Sequence, residues 1–131
     1  MPNTTLIAII DDDEAVRAAL RSLMQAVGHS VRAFASAEEF LASDDVSSAA
    51  CLILDVNMPG MPGSELHRRL VKSGRLVPTI LITATPDDGA RASALRQGVF
   101  CYLGKPVAAE DLLACVRSAL DRPDRGPEGR E

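Results

Sequence analysis

The sequence predicts an α/β fold in which a parallel sheet is covered by helices on both faces. Three observations predict it. Four short runs, LIAII (6–10), CLILD (51–55), PTILIT (78–83) and VFCYL (99–103), are almost continuously apolar rather than alternating, as strands buried on both faces are. A fifth, HSVRAF (29–34), has strand character. Each of the five is followed by a stretch of helical periodicity, and strict strand–helix alternation is the mark of this class.

The elements follow in order. The β-branched run 6–10 closes at Asp11, as a buried strand would. Val16, Leu20, Leu23, Met24 and Val27 then recur at helical spacing until Gly28 stops the helix. Asp13 and Glu14 stand at its start, where carboxylates cap free N–H groups and complement the helix dipole. After the second strand, Ser36 and Glu39 have capping-box spacing and open a second helix. The third strand leads into NMPGMPG (57–63), a loop by its Pro and Gly content, and then the helix-like SELHRRLVKSG. Pro86 suits the first turn of the fourth helix and Gly98 its stop. AAEDLLACVRSAL (108–120) is the last helix. The domain is therefore placed at 1–121. The remainder, 122–131, carries Pro, Gly and charge without apolar periodicity and is expected to be a disordered tail.

Composition narrows the function. The 131 residues suffice for one domain with a single substantial core. A net charge of −4, with scattered rather than clustered Arg, argues against direct nucleic-acid binding. Cys51, Cys101 and Cys115 form no C-x-x-C pair and read as buried, reduced thiols. The start MPNTTLIAII has neither a basic n-region nor a long apolar run, so no membrane partner and a cytoplasmic location are expected.

In an open parallel sheet, ligands bind beyond the carboxyl ends of the strands. Here Asp11 and Asp12 leave the first strand, Asp55 ends the third, Thr83 ends the fourth and Lys105 follows the fifth. Residues tens of positions apart thus meet on one sheet edge. Two carboxylates about 5 Å apart repel by roughly 3 kcal/mol at an effective dielectric near 20, so a proton or a cation should offset them. An oxygen-only set suits a hard divalent cation such as Mg²⁺. Asp11 and Asp12 alone could equally be helix caps; their convergence with Asp55, Thr83 and Lys105 favours a functional site.

These residues carry a resemblance. The pieces IIDDDE, LILDVNMPGMPG, ILITA and YLGKP stand in the order and spacing of the receiver domain of bacterial two-component response regulators, over about residues 5–121. In spelling the chain is similar to receivers of the nitrogen-fixation regulator type. The resemblance implies a flavodoxin-like three-layer sandwich with strand order 2-1-3-4-5. It implies that Asp55 takes a phosphoryl group from a phosphohistidine, giving an acyl phosphate. Asp12 and Asp55 would bind Mg²⁺ through side-chain oxygens, Asn57 through its backbone carbonyl and Asp11 through water. Lys105 would pair with Asp55 and the phosphoryl group, and Thr83 would donate its hydroxyl to it. The kit fits the chemistry, because phosphoryl transfer needs positioning and charge neutralisation more than a general base. The Lys105–Pro106 bond is a candidate for the cis form.

The resemblance also implies a switch: Thr83 moves toward the phosphoryl group, Tyr102 turns into the space it leaves, and the face of the fourth helix, fifth strand and fifth helix changes. By strand alternation Phe100 and Tyr102 share a face. Phe100 is expected to pack under the fourth helix, with a partner or homodimer face as the alternative. Asn57 and Thr85 hold positions that in the family influence hydrolysis, Gly104 carries no signal, and His29 and His67 are expected at the surface without a metal role.

The implied partners are a sensor histidine kinase or phosphotransfer protein and a downstream protein target. No DNA-binding unit is expected after the last helix. Two rival functions remain. A haloacid-dehalogenase-type phosphatase would need a second Asp where Asn57 stands. A receiver fold kept as an unphosphorylated binding module would not need the full residue set.

Overall fold

Strand and helix alternate throughout residues 5–121, the part of the chain that the computed structural model describes; the tail expected at 122–131 lies outside those residues. The order is β1 (Leu6–Ile10), α1 (Glu14–Ala26), β2 (Ser30–Phe34), α2 (Ala37–Leu41), a 3₁₀ turn (Asp44–Val46), β3 (Cys51–Asp55), α3 (Gly63–Lys72), β4 (Thr79–Thr83), α4 (Asp88–Arg96), β5 (Cys101–Gly104) and α5 (Ala109–Leu120). The strands pair in the order β2-β1-β3-β4-β5, all parallel. This is the flavodoxin-like topology that the resemblance implies.

Side-chain alternation splits the interior into two cores. Ala8, Ile10, Leu52, Leu54 and Leu81 face one way, against Ala37 and Phe40 of α2, Leu66 and Leu70 of α3 and Ala94 of α4. Ile7, Ile9, Ile53, Ile80 and Ile82 face the other, against Leu20 and Met24 of α1 and Leu112, Val116 and Ala119 of α5. β3 and β4 are buried at every position. Burial of each large aliphatic side chain contributes about 1.5–3 kcal/mol, so the inner strands are the most strongly fixed part of the sheet.

Helix starts follow the expected chemistry with two differences. Asp13 caps α1, accepting from the N–H groups of Ala15 at 2.9 Å and Val16 at 3.2 Å. Ser36 accepts from Glu39 N at 3.1 Å, but the Glu39 carboxylate reaches back to Ala35 N rather than to Ser36. At α4 the cap is Asp87, which accepts from Ala90 N at 2.8 Å. Pro86 therefore precedes the cap instead of opening the helix, because a carboxylate satisfies an orphan N–H and a Pro ring cannot. Gly28 and Gly98 end α1 and α4 at φ +97° and +101°, a conformation that costs a side-chain-bearing residue.

β5 also starts later than its apolar run. Strand pairing begins at Cys101. Val99 is buried in the core beneath α4, while the Phe100 N–H donates to Thr79 O at 2.8 Å before the strand begins. Period-two alternation does not reach back across that bend. Tyr102 accordingly packs on the α2–α3–α4 side and Phe100 with Cys101 and Leu103 on the α1–α5 side. The expectations that Phe100 shares a face with Tyr102 and packs under α4 are both overturned.

Candidate functional site

The edge of the sheet holds its functional groups through ladder bonds that continue just past the strands. Asp11 N donates to Phe34 O at 3.1 Å, Val56 N to Ile82 O at 2.8 Å and Lys105 N to Thr83 O at 2.8 Å. The backbone at each site residue is thus set by the sheet. Gly63 closes α3 onto this edge: a β-carbon there would lie 2.5 Å from the Asp55 carbonyl oxygen. The Lys105–Pro106 peptide is cis, as anticipated.

Asp11, Asp12 and Asp55 converge: one carboxylate oxygen from each lies within 4.8 Å of the others. Asp11 and Asp55 are only 2% and 3% exposed, whereas Asp12 faces solvent. The donor set is oxygen only and part of it is open to water, which fits a hard divalent cation that keeps some of its waters. The Lys105 ammonium lies 3.3 Å from Asp11 Oδ2 and 3.4 Å from Asp55 Oδ2. The remaining oxygens take main-chain donors, Asp13 N to Asp11 Oδ1 at 2.8 Å and Asn57 N to Asp55 Oδ1 at 3.0 Å.

Burial and mutual charge act on Asp11 and Lys105 together. Burial pushes the Asp11 carboxyl above the usual Asp value, with repulsion from Asp55 adding to it, against the Asp13 N–H and Lys105. For Lys105, burial alone would lower the ammonium. Attraction from Asp11 and Asp55, by charge and by hydrogen bond, outweighs it and leaves Lys105 above the usual Lys value. One ammonium among three carboxylates leaves the cluster short of positive charge.

Thr83 is buried and stands on the same edge. Its hydroxyl donates to Asn57 Oδ1 at 2.9 Å, and the same oxygen accepts from Ala84 N at 3.1 Å. Tyr102 is already buried, 5% exposed, with the Arg91 guanidinium 5.4 Å from its ring centre. It stands away from solvent with α4 clamped over it.

Several residues here were not legible as site residues. Arg17, one turn into α1, donates from Nη1 to the Asp11 carbonyl at 2.8 Å. Gly104 is tightly constrained rather than silent: a β-carbon there would meet the stiff ring of Pro86 at 2.8 Å, so it lets the β4–α4 loop lie against β5. His67, expected at the surface, is 4% exposed. It lines a cavity of about 260 Å³ between α3 and α4, with Tyr102, Ser93 and Gln97. Gly63, Leu66, His67 and Leu70 recur at i, i+3, i+4 and i+7, one buried helical face, and that spacing was the available signal. His29 is half-buried. The three cysteines are free, Cys51 buried and Cys101 and Cys115 half-buried.

A parallel five-stranded sheet with acids, a hydroxyl and an amine gathered on its carboxyl edge is the architecture of a receiver-type signalling module rather than of a dinucleotide-binding fold, whose first turn would need glycines. Family comparison agrees: the chain belongs to the response regulator receiver domain family, which matches residues 7–117. It is 40% identical over 116 residues to the response regulator protein TodT of Pseudomonas putida, covering 88% of this chain and 51% of that protein. The receiver domain protein (CheY-like) of Methanospirillum hungatei superposes with a TM-score of 0.81 at 27% identity, covering 91% of this chain and 95% of that one. The BeF3-activated DrrB receiver domain, from a Thermotoga maritima regulator, gives 0.82 at 29% identity, covering 92% and 100%. The chain spans about half the length of curated relatives such as TodT. Receiver domains of response regulators are signalling proteins rather than classical enzymes. Among the described residues no helix is long and apolar enough to cross a membrane.

Proposed function

We propose that this chain is a cytoplasmic phosphorylation switch that accepts a phosphoryl group on Asp55. The observation that carries the reading is the placement of the Asp55 carboxylate. It lies 3.4 Å from the Lys105 ammonium and within 4.8 Å of oxygens of Asp11 and Asp12, at the end of the strand beside Thr83.

Asp55 would attack the phosphorus of a phosphohistidine; the P–N bond breaks, its electron pair stays on the imidazole, and an acyl phosphate forms. A carboxylate nucleophile needs no general base. Lys105 would neutralise charge on the phosphoryl oxygens and hold Asp55 in line for attack. Thr83 would donate its hydroxyl to one phosphoryl oxygen. Asp11, Asp12, Asp55 and the Asn57 backbone carbonyl would hold Mg²⁺, which when bound supplies the positive charge that Lys105 alone leaves short.

The donor would be a sensor histidine kinase or a phosphotransfer protein, and the output a downstream protein target engaged through the α4–β5–α5 face. With a small acyl-phosphate donor and Mg²⁺, the chain should gain an acid-stable, base-labile phosphoryl group that Asp55→Asn abolishes. A folded wild-type chain that gains none, or an Asp55→Asn variant that gains as much, overturns the reading.

A further inference from the structure

The Asn57 side chain occupies the very hydroxyl that a phosphoryl group would need. One of its amide atoms lies 2.9 Å from Thr83 Oγ1 and 3.1 Å from Ala84 N. A main-chain N–H can only donate, so that atom is the carbonyl oxygen. The Thr83 oxygen in turn accepts from Thr85 N at 3.1 Å. Its single proton is therefore directed at Asn57; the other neighbour, Thr85 Oγ1, is farther away at 3.4 Å.

We propose that Asn57 is a latch: in the unphosphorylated chain it sequesters the Thr83 hydroxyl, pins Ala84 at the start of the β4–α4 loop, and sets a threshold that the phosphoryl group must overcome. This rests on the reading of Asp55 as the phosphoryl acceptor. A hydroxyl has one proton to give, so bonds to Asn57 and to a phosphoryl oxygen exclude each other. A charged phosphoryl oxygen is the stronger acceptor, roughly twice as strong as a neutral amide. The exchange runs toward the phosphoryl group when it is present and back to Asn57 when it is absent. Asn57 also donates its main-chain N–H to Asp55 Oδ1 at 3.0 Å, so acceptor and latch sit on one short, hydrogen-bonded segment. The Asn57 side chain touches the switch residue rather than the reacting atoms, which makes it a positioning residue.

The test is the affinity for beryllofluoride in the presence of Mg²⁺, compared between wild type, Asn57→Ala, Thr83→Val and the double variant. Asn57 is exposed, so its truncation leaves the core untouched. Asn57→Ala should bind about fivefold tighter, the equivalent of about 1 kcal/mol or one released hydrogen bond. Without beryllofluoride its Ala84 amide should exchange faster. In the Thr83→Val background the gain should vanish, and in Thr83→Ser, which keeps the hydroxyl, it should persist. Unchanged or weaker binding by Asn57→Ala, or a gain that survives Thr83→Val, overturns the latch. A folded wild-type chain that binds no beryllofluoride with Mg²⁺ overturns the phosphoacceptor reading, and the latch with it.

Discussion

Gly63 stands directly against the main-chain carbonyl of Asp55, where a β-carbon would meet the oxygen at 2.5 Å and the carbonyl carbon at 3.1 Å. Neither neighbour is the free end of a flexible side chain, so the strain cannot be relieved locally. Gly63→Ala should lower unfolding free energy in urea by about 1–3 kcal/mol, the usual penalty of overpacking. It should also slow phosphoryl uptake by moving Asp55. Wild-type stability and uptake together would show that α3 has room to retreat.

The exposed Asp12 tests the cation. Without a metal, three carboxylates share one ammonium, so adding Mg²⁺ should raise the melting temperature in a concentration-dependent way, following RT ln(1 + [L]/Kd). Asp12→Asn should lose most of that rise. In metal-free buffer it should be at least as stable as wild type, since one repulsive charge is gone. Equal Mg²⁺ stabilisation of both proteins would remove Asp12 from the ligand set.

His67 gives the fold an acid-sensitive point away from the carboxylates. Burial holds its imidazole below the ordinary value of 6.5, so the folded chain resists a proton that the unfolded chain accepts. Its contribution is intact above pH 6.5 and is lost as pH falls from there toward the lower folded value. The slope in that window is at most about 1.4 kcal/mol per pH unit for one proton. The groups around it are Tyr102 from β5 and Arg68 from its own helix, while α4 presents Ala90, Ser93, Ala94 and Gln97, none of them titratable. Urea titrations of wild type and His67→Leu between pH 7.5 and about 5 should therefore diverge in slope, the variant being flatter. Parallel curves would mean that His67 is protonated in the folded state as readily as in the unfolded one.

Most of the fold was legible because the inner strands are apolar except at their ends. LIAII and CLILD coincide with β1 and β3 at both ends, since a buried parallel strand reads as an apolar run with polar residues only at its ends. The start of β5 was not legible, because Val99 is apolar for a different reason, packing beneath α4 ahead of the ladder. That difference also misassigned Phe100, because it lies ahead of the strand, where alternation no longer decides which face a side chain takes. The site was legible as a set of strand ends. What joins its members was not: Thr83 and Asn57 lie 26 positions apart, and local pattern carries no information about which side chain will reach the other. The same holds for Gly63 and Gly104, whose need for a bare α-carbon comes from distant partners.

Helix α4 has none of its nine residues fully buried, lies over the cavity lined by His67, and is tied to the sheet in part by Arg91 resting on Tyr102. Its own side chains therefore bury little apolar area, whereas β3 and β4 are buried at every position. The energetic distance between two positions of this one helix is then small beside the cost of unfolding the domain. A covalent change at Asp55, as proposed above, would then act on this helix while the buried inner strands serve as an unmoving frame.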